Sequence, residues 1–254
     1  VVLRRSKEQE LSGLPKKVEV RIECPLSQVQ RDAYRRVQTL ASQKGGQGVM
    51  FKVLSSLNRL LQHPALEGAV SLESSPSELL STGPKVRALV DELRKIQKRG
   101  EKVLVFAILI KMQHILKRVL DEEFGLDVSI INGQSQSSGA KVRQRRLDMI
   151  KDFSAGSGFD VMILSPDVAG VGLTITAANH VFHFGRWWNP AREDQATDRT
   201  HRIGQEKDVK VYRLIGTDPD SELRTFDEHL DDLITERRQT AEHFLVPSVD
   251  DGEA

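Results

Sequence analysis

Residues 102–125 read KVLVFAILIKMQHILKRVLDEEFG. The first nine, KVLVFAILI, form an apolar run rich in valine and isoleucine. Such a run predicts a strand buried on both faces, because a strand with one wet face would alternate apolar and polar residues. MQHILKRVLDEEFG (112–125) then carries helical periodicity. The same alternation extends outward in both directions. Upstream, PKVRALVDELRKIQKRG (84–100) predicts an amphipathic helix that ends at Gly100. Downstream, DVSIING (127–133), FDVMILS (159–165), HVFHFG (180–185) and DVKVYRLIG (208–216) read as strands, and KVRQRRLDMIKDF (141–153) as a helix. Strands that alternate with helices imply an α/β fold: a parallel sheet with helices on both faces.

The flanks are of a different kind. Residues 1–17 are polar and read as a connector, and VEVRIEC (18–24) alternates like a strand that stops before Pro25. From Pro25 the spacing of Leu26, Val29, Ala33, Val37 and Leu40 predicts one apolar helix face. SQKGGQG is a flexible break, and a second helix is expected over 49–62 with Phe51, Leu54, Leu57, Leu60 and Leu61 apolar. Pro64 to Gly83 is rich in Ser, Pro and Gly and reads as a loop or linker. The tail SELRTFDEHLDDLITERRQTAEHFL predicts a long charged helix or helix pair, and VPSVDDGEA a disordered end. The expected division is a connector and first strand (1–25), a helical insertion and linker (26–83), the α/β unit (84–217) and C-terminal helices with a tail (218–254).

Bulk properties narrow the functional classes. With 37 basic and 36 acidic residues among 254, the formal charge is +1, so an argument for nucleic acid must rest on local clusters. The single cysteine, Cys24, excludes an internal disulfide framework. No apolar run approaches the 18 or so residues of a membrane-spanning helix, so no membrane partner is expected. The opening VVLRRSKEQE lacks the features of a signal peptide and reads like the middle of a longer protein.

The most informative polar stretch is WWNPAREDQATDRTHRIGQ, residues 187–205. Asn189 suits a helix N-cap, Pro190 the first helical position, Glu193 and Asp194 the positive end of the helix dipole, and Gly204 the stop. A helix over roughly 190–203 is expected, with no apolar stripe to anchor it. On such a helix Gln195, Arg199 and Arg202 would fall within about 60° of one another. Two guanidinium groups and an amide on one face suit an anion such as phosphate, although charge patterns of this kind are more often simply solvated.

Other stretches are weaker. The loop PDVAGVG (166–172) offers Gly170 and Gly172, but Ile175 stands where a dinucleotide-binding fingerprint needs its third glycine. A tight turn and a ligand loop are about equally good readings, and the position beyond a strand's carboxyl end favours the ligand. His180 and His183 point to opposite faces of a strand, so they make no metal site. Asp227-Glu228-His229 reads as the solvated face of a charged helix. KVRQRR (141–146) carries four basic residues, usually an exposed face. Beside ING (131–133) it would also suit a nucleic-acid backbone.

ILSPDVAGVGLTITAANHV, WWNP and DQATDRTHRIGQ, in this order and spacing, resemble the second RecA-like lobe of SWI/SNF-type DNA-dependent ATPases of helicase superfamily two. VVLRRSKEQELSGLPKK is similar to that family's inter-lobe link, PLSQVQRDAYRRV to the helix opening its second half, KVLVFAILIKM to its fourth motif, INGQ to the next, and TFDEHLDDLITERRQTAEHFL to its bracing C-terminal helices. The wording of TITAANHV and the doubled tryptophan point to a bacterial member. The resemblance implies an ATP site shared with a first lobe that carries the phosphate loop and the Mg2+ ligands; this chain has no GxxxxGK(S/T). It implies Arg199 and Arg202 as catalytic arginine fingers, with Gln195, Gly170 and Gly172 on the ATP side. Gly133, Arg146, Ser165 and Trp188 would line the face toward double-stranded DNA. The expected setting is the bacterial cytoplasm at the nucleoid, or the nucleus in a eukaryote.

The chain departs from the family pattern at Ala107-Ile108, where a polar pair is usual, at Val168-Ala169-Gly170 and Thr174, and at Asp167. Three functions are therefore in view. The first is the second motor lobe of an ATP-dependent DNA translocase. The second is a DNA- or protein-binding module that works without ATP. The third is a self-contained nucleotide-binding enzyme.

Overall fold

The structure, a computed structural model, describes residues 14–43, 47–133, 140–166, 174–221 and 224–245. Six strands, β1 (Lys17–Pro25), β2 (Lys102–Phe106), β3 (Ser129–Ile131), β4 (Asp160–Leu164), β5 (Ala178–His183) and β6 (Val209–Thr217), form one sheet in the order β1-β6-β5-β2-β4-β3. Every pairing is parallel. All strand carboxyl ends therefore lie along one edge of the sheet. The helices are α1 (Gln28–Gln43), α2 (Gln47–Gln62), α3 (Pro76–Thr82), α4 (Pro84–Gln97), α5 (Ile110–Phe124), α6 (Ala140–Ala155), α7 (Pro190–Thr197) and α8 (Phe226–Leu245).

The apolar run at 102–110 behaves as a two-faced strand only as far as Phe106. Val103 and Val105 point into a core shared with Leu89, Leu93, Met112 and Leu116 of α4 and α5. Leu104 and Phe106 point the other way, to Ile150 and Phe153 of α6 and Ala196 of α7. Both sides are dry because helices cover both, which is why the run shows no alternation. Strand geometry ends once the chain passes Phe106, and α5 begins at Ile110 with Leu109 extended before it.

Four sequence expectations need correction. The stretch from Pro64 to Gly83 contains a 3-10 turn (Pro64–Glu67) and the helix α3, whose N-terminus Ser75 caps by accepting from the Glu78 N–H. Buried His63 anchors this region: its Nε2 lies 2.8 Å from the Leu79 carbonyl, and its Nδ1 accepts from the Ala65 N–H. Serine and proline there are helix-start chemistry as well as loop chemistry. On α1, the expected face is only partly inside: Val29 and Leu40 are exposed, while Gln30 and Tyr34 are buried. Gln30 is tolerated there because its amide donates to the Leu60 carbonyl at 2.6 Å. On α2, Leu57, Leu60 and Leu61 are buried, but Phe51 is exposed. Finally, Asp227 on α8 is not solvated. It is buried, forms an ion pair with buried Lys85 of α4, and accepts from the Gly216 N–H at 2.9 Å.

Candidate functional site

The polar stretch from Trp187 to Gln205 follows β5. Its first part becomes α7, with Asn189 capping as expected: its side chain accepts from the Ala191 N–H at 3.1 Å. The helix stops at Thr197, well short of 203. Residues 198–204 form consecutive turns, with Arg199 donating its N–H to Ala196, His201 to Thr197 and Arg202 to Thr200. Gly204 closes them at φ 97°, a left-handed geometry that suits glycine. Arg199 and Arg202 therefore sit on a turn, and Gln195 on the helix before it. The three do not share a helix face, as the 3.6-residue period would have required.

This turn is held rigidly. Gln205 is buried, and its amide nitrogen faces the carbonyls of Thr176, Ala178 and Thr200 at 3.1, 2.8 and 3.2 Å. The Arg199 carbonyl accepts from the Ile175 N–H at 2.9 Å. His201 is buried with its Nε2 2.7 Å from the Pro15 carbonyl, tying the turn to the chain before β1. Gln205 and His201 lay inside the quoted stretch, but nothing in their sequence positions distinguished an inward amide from an outward one.

On this scaffold the two arginines differ. Arg202 is exposed and donates to the Thr174 hydroxyl at 3.1 Å. Arg199 is half-buried, and its Nε is buried with no hydrogen-bond partner. Its pKa is lowered, first by burial and then by the positive charge of Arg202. A half-buried guanidinium beside another, with a donor unspent, is an arrangement that gains from an arriving anion. Gly170 and Gly172 lie outside the described residues. Among the described residues no group of three His, Cys, Asp or Glu side chains could hold a metal ion.

The base of α7 is tied down by charge. Arg186, with a fully buried side chain, lies 3.3 Å from Glu193 and 3.0 Å from Asp231 of α8. Arg238 of α8 reaches Glu193 at 3.1 Å and Asp194 at 2.9 Å. Glu193 also accepts from the Trp187 N–H. The guanidinium nitrogens of Arg186 lack aligned hydrogen bonds, so its pairing with Glu193 and Asp231 is coulombic rather than directional. Burial raises the Glu193 carboxyl against these opposing cations. Beside them His183 is pushed down to about 3, first by burial and then by Arg186, Arg213 and Arg238. It is a neutral ring, 3.0 Å from the Thr197 hydroxyl and stacked on Phe106. The sequence assigned Glu193 and Asp194 only to the helix dipole; Arg238, the partner they share, lies 45 and 44 residues away and leaves no local pattern.

The remaining candidates lie at the carboxyl edge of the sheet. Ser165 follows β4, and its N–H donates to the Ile131 carbonyl at 2.8 Å. Arg146 of α6 donates to the Asn132 carbonyl at 2.8 Å, next to Gly133. Gly133, Arg146 and Ser165 are thus brought together. Trp188 is half-exposed on the far side of the same edge, beside Phe226 at 5.8 Å, with its carbonyl accepting from Arg237. Three strand spacings, about 14 Å, separate β5 from β3. The arginine turn lies elsewhere again. Gln205 joins it to Ala178, which pairs with Lys102 at the amino end of β2. Lys102 to Phe106 spans about 13 Å of strand, so the turn and the Gly133 group lie toward opposite edges of the sheet.

Comparisons with known proteins bear on the fold. Residues 84–204 match the helicase conserved C-terminal domain. The chain is 39% identical to Zorya protein ZorD of Escherichia coli over 98% of its own length and 23% of that protein. It is 34% identical to the putative ATP-dependent helicase/translocase YwqA of Bacillus subtilis, over 97% of its own length and 26% of YwqA. It spans about a quarter of the length of these relatives. Among solved structures, the Sulfolobus solfataricus SWI2/SNF2 ATPase core in complex with dsDNA matches 96% of this chain and 49% of that one, at 27% identity and a TM-score of 0.70. The C-terminal part of the Fun30 ATPase domain has the same fold, with a TM-score of 0.67 over 87% of this chain and 90% of that one, at 22% identity. The six-stranded parallel sheet, the domain match and the structural likenesses together show that the chain has the RecA-like fold of SWI2/SNF2 ATPase C-terminal lobes and carries a helicase conserved C-terminal domain over residues 84–204.

Proposed function

We propose that this chain is the second motor lobe of an ATP-dependent double-stranded DNA translocase, and that its arginine turn completes an ATP site whose other wall lies on a first RecA-like lobe of the same protein. The observation that carries the reading is Arg199: a half-buried guanidinium with an unspent donor, next to exposed Arg202, on a turn fixed by Gln205, His201 and Ile175. ATP with Mg2+ supplies the phosphoryl group to be transferred. Arg202 serves as the principal finger, positioned to neutralise charge that develops on that group, and Arg199 supports it. Because the turn is braced before anything binds, little reorganisation is needed at the moment of reaction. Gln195, Gly170 and Gly172 would contribute on the nucleotide side. Gly133, Arg146, Ser165 and Trp188 would face the DNA backbone. The Mg2+ ligands and the phosphate loop belong to the first lobe.

Arg202→Ala in the full-length protein is expected to lower DNA-stimulated ATP hydrolysis by about a thousandfold or more while the lobe stays folded, as elsewhere when an arginine finger is lost. Turnover within a few-fold of the parent would overturn the assignment. One observation favours the binding-module reading. Lys141, Arg143 and Arg145 are exposed on α6, a cationic face available to a phosphate backbone. If the chain acts as a DNA-gripping module without hydrolysis, its duplex binding must weaken with salt and be indifferent to Arg202→Ala.

A further inference from the structure

Residues 106–109, the exit of β2, read Phe-Ala-Ile-Leu and carry no hydrogen-bonding side chain. Gln113, one turn into α5, reaches back to this exit. Gln113 is completely buried, on a helix whose neighbouring residues Met112 and Leu116 belong to the apolar core. Its Nε2 donates to the Ala107 carbonyl at 2.7 Å. Its Oε1 accepts from the Asn132 side-chain amide at 2.9 Å. The Asn132 carbonyl accepts in turn from Arg146 of α6 at 2.8 Å. One buried amide therefore links the exits of β2 and β3, which are not neighbours in the sheet because β4 lies between them. A buried glutamine in an apolar setting is costly unless both ends of its amide are used, and here both are.

The linkage leads to Gly133. A side chain at Gly133 would meet none of the described residues within 4 Å, and its φ is not positive, so neither space nor backbone conformation among them calls for glycine. What glycine leaves open there is approach to the backbone from outside. The segment just before it, Asn132, is held on both sides: by Gln113 through its side chain and by Arg146 through its carbonyl.

We propose that Gln113 is a positioning residue for the DNA-contacting edge of this lobe: through Asn132 it sets the backbone at Gly133 for contact with a phosphate of the DNA strand. This deepens the translocase reading and rests on it. Gln113 touches no DNA itself. Its contribution is preorganisation, since an Asn132 held in place need not be ordered when the phosphate arrives.

The test uses the full-length protein, a linear DNA duplex and steady-state ATP hydrolysis. Gln113→Met keeps length and volume and removes both hydrogen bonds. It is expected to raise the DNA concentration for half-maximal stimulation about tenfold, the order expected when a buried bond is lost, while turnover at saturating DNA stays within about twofold. Gln113→Glu is the conservative partner: at acidic pH its protonated carboxyl can donate to Ala107 and accept from Asn132, so the defect should shrink as pH falls from 8 to 6. A double cycle with Asn132→Ala should be less than additive, because both residues act through one linkage. An unchanged half-maximal DNA concentration in Gln113→Met, or a loss confined to turnover, overturns the proposal. If Gln113→Met does not fold, Gln113→Glu decides alone, and a defect independent of pH overturns it. Absence of DNA stimulation in the parent protein would instead remove the translocase reading.

Discussion

At the scale of single residues, the site depends on side chains that do no chemistry. Gln205 has two amide hydrogens and three carbonyl acceptors, so one hydrogen is shared. Gln205→Leu would take this donor from all three carbonyls, of which Thr200 keeps only the Arg202 N–H, costing about 2–3 kcal/mol of stability. The turn would also loosen, so the chemical-denaturation midpoint of the lobe and, on the proposed function, the ATPase rate of the full-length protein should fall together. His183 makes a pH prediction. Its folded pKa, about 3, lies below the ordinary histidine value of 6.5. Between those two values the unfolded chain binds a proton that the folded chain refuses, so stability is intact above pH 6.5 and is lost as pH falls toward 3. His183→Gln should flatten that acid-side loss relative to the parent in urea titrations at pH 7, 6 and 5. Equal slopes in the two proteins would refute the role of His183.

At the scale of elements, α8 decides how the sheet's carboxyl edge and α7 are held. Its first turn inserts Asp227 between Lys85 of α4 and the Gly216 N–H at the end of β6. Its last turns carry Arg238 to Glu193 and Asp194 of α7. Lys85→Met would strand a buried carboxylate, and a loss of about 3–5 kcal/mol is expected from a broken buried pair. Asp227→Asn in the same chain should cost less than it does alone, because the charge it removes is already unpaired. Thermal unfolding of the two single variants and the double variant measures this. The α7 contacts are partly exposed at Asp194, so Arg238→Ala should be milder, and its effect should depend on Glu193 far more than on Asp194.

At the scale of the whole molecule, the sheet separates two surfaces. The arginine turn lies toward the amino ends of the strands, and the Gly133 group lies at their carboxyl ends. On the proposed translocase reading, the nucleotide would meet one surface and the polynucleotide the other, and the lobe would carry both contacts as one body. The chain by itself has the arginines and lacks a phosphate loop. The isolated chain is therefore expected to hydrolyse no ATP, with or without duplex DNA, in an assay of phosphate release. Measurable turnover would revive the self-contained enzyme. No helix among the described residues is long and apolar enough to cross a membrane.

The alternation of buried runs and amphipathic helices was enough to determine the parallel α/β sheet, because burial on both faces leaves a mark at every residue of a strand. The resemblance of the 159–205 motifs was enough to place the chain among SWI2/SNF2-type lobes. What lay beyond the sequence was set by contacts between distant residues. Helix α7 ends at Thr197 because Gln205, Ile175 and His201 pull the following chain into turns, and local propensity carries no trace of partners so far away. Asp227 looked solvated because its neighbours are charged; its burial is decided by Lys85, more than a hundred positions earlier. Gln113 carries no mark in the sequence beyond being a polar residue within the helical run 112–125. Only the packed sheet, which brings the ends of β2 and β3 within reach of one amide, gives it something to hold.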